Sequence, residues 1–118
     1  MAKIDISDRY VGADWLLLFM VTGLPDGVTV ESAAFYLKKN VKTADADALV
    51  SRSVTTEATA EGQITQAGTT ATIAVLVPDA LTRTLTPTKA LYYRVMMVTN
   101  DGTSDFDEIA ADGNFTPQ

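Results

Sequence analysis

The 118-residue chain contains no cysteine and no histidine. Without cysteine there are no disulfides and no thiolate metal sites. Without histidine the usual general base is gone, and with it the Ser-His and Cys-His nucleophile systems and most zinc sites. Positive charge is also scarce. Nine Lys and Arg stand against fifteen Asp and Glu, for a net charge of −6. Lys38-Lys39 is the only adjacent basic pair. Such a surface repels nucleic-acid phosphates, so no nucleic-acid partner is expected. Long apolar runs are missing too. The run Trp15 to Val21 has seven residues, well short of the roughly 20 that a membrane helix needs. Met1 to Arg9 carries no basic start followed by a long apolar stretch. The expectation is therefore no export signal and no membrane anchoring, with synthesis and retention in the cytoplasm. The glycines form neither GxGxxG nor a phosphate loop, and no cofactor is expected.

What is present suits one globular domain over residues 1–118. Hydrophobic residues make up 47% and charged residues 20%, a balance that supports a core without staples. Apolar and β-branched runs alternate with turn signals. They predict strands at Lys3–Ser7, Trp15–Thr22, Ala33–Lys39, Leu49–Thr55, Thr70–Val77, Leu91–Thr99 and Ile109–Thr116, with a further hairpin around Gln63–Gln66. Leu24-Pro25-Asp26-Gly27 and Asn100-Asp101-Gly102 have turn chemistry. Pro78 to Thr82 suits one helical turn with Asp79 as its cap. Thr43 to Ala48 reads as a solvated loop or strand edge. About seven short strands and no long helical period predict an all-β, Ig-like antiparallel β-sandwich.

Two strands break the half-buried pattern expected of a sandwich. In the run from Trp15, one face carries Trp15, Leu17, Phe19 and Val21, and the other carries Leu16, Leu18 and Met20. In the run from Leu91, Tyr92, Met96 and Val98 share the second face with Arg94. A two-layer sandwich has no third layer for these side chains. Either the chain's own loops and termini cover them or another subunit does. Patches of several hundred Å² are uncommon on monomers. Leu16, Leu18, Met20, Tyr92, Met96 and Val98 are therefore the candidate interface, and a homo-oligomer is expected.

Only carboxylates remain for catalysis. Asp45 with Asp47, and Asp105 with Asp107 and Glu108, sit in polar stretches beside turns and read as solvated loops. The oxygen-rich run from Asn100 to Glu108 could in principle suit calcium, but it lacks the EF-hand spacing. No enzyme activity and no metal site are expected. Trp15, in the most apolar strand, reads as core rather than as a ligand platform.

The order of features resembles the phage Ig-like β-sandwich modules of baseplate and tail-fibre attachment domains, which also occur as small standalone virion proteins. The matching pieces are Gly12-Ala13-Asp14 with Trp15 to Val21, then Ala33 to Lys39, Thr72 to Val77, Tyr92 to Gly102, and Gly113-Asn114-Phe115-Thr116. Two positions depart from the family's line: Ala13 is inserted in its Gly-Asp turn, and Arg94 stands where an acidic residue is common. The resemblance covers nearly the whole chain. It implies a non-enzymatic structural virion protein of the tail, baseplate or fibre region, assembled in the host cytoplasm by packing against itself or other virion proteins. A capsid decoration protein, a cell-surface or carbohydrate-binding module and an intracellular scaffold are the rival expectations.

Overall fold

The computed structural model describes the backbone of residues 2–5 and the whole of residues 10–118. The described residues form eight strands: β1 (Ala2–Asp5), β2 (Trp15–Val21), β3 (Thr29–Lys38), β4 (Val50–Thr55), β5 (Gly62–Ala67), β6 (Thr70–Val77), β7 (Leu91–Asn100) and β8 (Asp105–Phe115). Two antiparallel four-stranded sheets run in the orders β1-β2-β6-β5 and β4-β3-β7-β8. The chain changes sheet at β2→β3, β4→β5 and β6→β7. This is the Ig-like sandwich order, with β4 added beside β3 in the second sheet.

Period-two alternation fixes which side of each strand faces inward. Leu17, Phe19 and Val21 of β2 and Ala71, Ile73, Val75 and Val77 of β6 line one wall of the core. Ala33, Phe35 and Leu37 of β3 and Tyr93, Val95 and Met97 of β7 line the other. Phe19 joins the layers, with its ring 6.0 Å from that of Phe35 and 6.2 Å from that of Tyr93. Trp15 is buried at one end, edge-on to Phe115 at 5.4 Å, and its indole N–H donates to the Tyr10 carbonyl at 2.9 Å. It is a core residue, as its strand suggested.

Several expectations change in detail. β3 begins at Thr29, four residues before the predicted start, because a bulge between Val30 and Ser32 breaks its alternation. The Gln66 side chain satisfies the backbone there, accepting from the Val30 N–H at 2.9 Å and donating to the Val28 carbonyl at 2.8 Å. β8 begins at Asp105, and the polar stretch before Ile109 is strand rather than loop. Gln63–Gln66 lies within β5, and the turn at Gly68 leads into β6. Ile6 and Ser7 of the first predicted strand lie outside the described residues.

The helical turn α1 (Asp79–Thr82) forms, but Asp79 does not cap it. Asp14 does, its carboxylate accepting from the Asp79 N–H at 2.7 Å. The buried Thr82 hydroxyl donates to the Ala13 carbonyl at 2.7 Å and accepts from the Gly12 N–H at 3.1 Å. Gly12 has φ +83°, a conformation that favours glycine. The Gly12-Ala13-Asp14 segment is thus a clamp that ties the entry of β2 to α1.

Candidate assembly surface

Because the inward positions of β2 are filled, Leu16, Leu18 and Met20 point away from the core. Their exposures are 47%, 38% and 40%. Cross-strand neighbours on β6 extend the strip: Leu16 lies opposite Leu76, Leu18 opposite Ala74, and Met20 opposite Thr72. Leu76 is itself 39% exposed. The result is an apolar strip of large side chains along β2, uncharged on the β6 side, with Lys3 and Asp5 of β1 opposite Met20 and Leu18 on the other side.

The outer face of the second sheet has two halves. In one half the residues are small or apolar apart from Asp107. One cross-strand row reads Ser53, Ala34, Met96 and Ile109, and the next reads Thr55, Ser32, Val98 and Asp107. Ser32 and Ala34 lie at the floor of a shallow trough of about 420 Å³, with Ser53 on one side and Met96 and Val98 on the other. Met96 and Val98 are half-buried, and Ile109 is exposed.

The other half is a polar cluster. Lys38 is almost wholly buried and pairs with Asp45, which comes from the short 3₁₀ segment Asp45–Asp47. The Lys38 ammonium also sits 5.6 Å from the Tyr36 ring centre. The Tyr92 hydroxyl donates to Asp112 at 2.8 Å, and the Arg94 guanidinium lies 5.8 Å from the Tyr92 ring. Interaction with Tyr92 raises the Arg94 pKa, and the Asp45 and Asp112 carboxylates add to this. Across the strand, burial pushes the Tyr93 phenol above its ordinary value, with smaller contributions from Asp112 and Tyr92.

The six candidate interface residues thus divide. Leu16, Leu18 and Met20 are exposed on one face, Met96 and Val98 form a trough wall on the other, and Tyr92 is covered by its own chain at 8% exposure. Sequence reasoning missed Leu76, at an outward position of an apolar strand where the period-two rule would have found it, and Ile109, which the register shift opposite Val95 and Met96 turns outward against the period set by Ala111 and Phe115. It also missed the Lys38–Asp45 pair, whose partners come from separate elements.

The carboxylate candidates do not converge. Asp45 is taken by Lys38, Asp105 accepts from the Asn100 side-chain amide at 2.7 Å, and Glu108 accepts from the Thr99 hydroxyl at 3.0 Å. Asp101 accepts from the Thr103 and Ser104 N–H groups, both at 2.9 Å. The backbone donors of Ser104 and Thr103 hold its carboxyl below the usual range. The oxygen-rich run is therefore organised as a hairpin turn. Among the described residues, no group of three or more acidic side chains is placed to hold a metal ion. A further hollow of about 740 Å³ opens between the β2–β3 turn and the β7–β8 hairpin, bordered by Leu24, Pro25, Met97 and the half-exposed Phe106.

Comparison with protein-family models and with curated proteins gives no match to this chain.

Proposed function

We propose that the chain is a non-enzymatic structural protein of a phage virion, in the tail, baseplate or fibre region, that works by subunit packing. The observation that carries this reading is the exposed strip of Leu16, Leu18, Met20 and Leu76 on a flat sheet face. A loop can leave single apolar residues in water at no great cost, whereas a contiguous apolar row of this size matches the largest patch on a typical monomer, which is often functional. The row presents on the order of 300 Å² of apolar area. At about 25 cal/mol per Å² its burial contributes about 7 kcal/mol. Association costs roughly 4–15 kcal/mol, so the strip can anchor an interface that other contacts complete. The resemblance in the order of sequence motifs to phage Ig-like modules suggests the virion setting. A capsid decoration protein would use the same surface.

The test is recovery in particles. Virions purified from cells that carry this gene in its native genome are expected to contain the chain at a fixed multiple of copies. Its absence from intact particles, with the protein present in the lysate, contradicts the virion reading. A ligand-binding reading draws on Phe106 beside its open hollow. It expects saturable binding of glycans that Phe106→Ala abolishes.

A further inference from the structure

The two outer faces differ in relief, and the differences are complementary. On the first sheet, Leu16, Leu18 and Met20 project from β2 at every second residue, about 7 Å apart, with Leu76 beside them. On the second, the outward positions of β3 begin with the small Ser32 and Ala34, at the same two-residue spacing, with Tyr36 closing the trough at one end and Met96 and Val98 as one wall. Building on the assembly reading above, we propose that the β2 ridge of one copy seats in the β3 trough of a second copy, head to tail.

Three observations favour this occupant over a two-fold pairing of ridge on ridge. First, a two-fold ridge dimer leaves the apolar row Ala34, Met96 and Ile109 in water in both copies. Head-to-tail packing covers both faces with one kind of contact. Second, the outward positions of β2 and β6 from Leu16 to Met20 and from Thr72 to Leu76 carry no charge. Asp107 is the carboxylate of the trough lining that seating covers, Lys38 already has Asp45 as its partner, and Lys3 and Asp5 lie opposite Met20 and Leu18 in the β1–β2 register. Third, the areas add up over two contacts. The first sheet's strands of four, seven, eight and six residues, about 4.8 Å apart at about 3.3 Å per residue, present roughly 400 Å². One ridge-in-trough contact therefore buries about 800 Å², the size of a weak contact. A copy held on both faces buries about 1,600 Å², a standard-size interface. Such a contact does not close on itself as a dimer, so it propagates into a ring or filament. Its repeat is two sheet spacings, about 20 Å.

The test uses a ridge variant, Leu18→Ser with Met20→Ser, and a trough variant, Ala34→Lys, in sedimentation velocity over a concentration series. Wild type is expected to form species larger than a dimer as concentration rises. Each variant alone is expected to stay monomeric. An equimolar mixture is expected to form a one-to-one dimer and nothing larger, because it contains one intact ridge and one intact trough. If Ala34→Lys associates as wild type does, or if the mixture stays monomeric, the head-to-tail contact is wrong. In the first of those cases assembly through the ridge still stands. A wild type that is monomeric at every concentration removes both. Should Ala34→Lys fail to fold by circular dichroism, Ser53→Arg at the opposite wall blocks the same trough and is read in the same way.

Discussion

The outward faces of β2 and β7 look alike in sequence, each offering three large apolar side chains at alternate positions, yet their surroundings differ. Leu16, Leu18 and Met20 stay 38–47% exposed, while Tyr92 falls to 8%. The cause lies in the neighbouring strands. β6 places the short Thr72 and Ala74 beside Met20 and Leu18, and Leu76 beside Leu16 is itself an exposed apolar side chain with no polar partner group to fold over the strip. β7 is flanked by β3 and β8, which bring Lys38 and Asp112, and the 3₁₀ segment adds Asp45. Periodicity therefore reveals which residues point outward. Whether they stay exposed depends on the reach of side chains distant in sequence.

The contrast can be sharpened within β2 itself. Phe19 lies between Leu18 and Met20 but faces the core, fully buried. Phe19→Ala is expected to cost about 3–5 kcal/mol in denaturant unfolding. Leu18→Ser with Met20→Ser is expected to cost less than about 1 kcal/mol of folding stability while weakening association at least tenfold. Equal losses of stability in the two variants would mean that both sides of β2 are core.

On the second sheet, Asp45→Ala leaves the buried Lys38 ammonium without its partner. The expected loss is about 1–3 kcal/mol, and Lys38→Met, which removes the charge as well, is expected to cost less. A milder effect is expected of Asp112→Ala, which frees the Tyr92 hydroxyl at a cost of about 1 kcal/mol. If neither change matters, the polar half of this face is ornamental and the two faces are closer in character than their exposures suggest.

The smallest effect concerns acid. Asp101 has its pKa lowered in the folded state by the Ser104 and Thr103 N–H groups. Its stabilisation of the β7–β8 turn is therefore fully present above the ordinary carboxylate pKa and is lost as pH falls through the lowered value. Amide exchange at Thr103 and Ser104 is expected to quicken over that acid range in wild type and to be fast at all pH values in Asp101→Ala.

Much of the sandwich was legible because β2, β6 and β7 are dense apolar and β-branched runs and the turns at Gly27, Gly102 and Gly68 use residues that accept positive φ. What escaped has a common origin. The start of β3 is disguised by its bulge, which Gln66 repairs from another sheet. The first half of β8 is an edge strand rich in Asp and Glu, a composition that protects edges from pairing but reads as loop. Asp14 rather than Asp79 caps α1, from 65 residues away. In each case the deciding partner is remote in sequence, where local patterning carries no information.

Coverage of the outer β2 face by another chain is the central claim, and Met20 reports on it directly. Thioether oxidation by peroxide follows exposure, and Met97, buried in the core, serves as the internal control. Over a dilution series, Met20 is expected to react slowly at high protein concentration and progressively faster on dilution, while Met97 stays slow throughout. A Met20 rate that is fast and the same at every concentration would contradict that coverage.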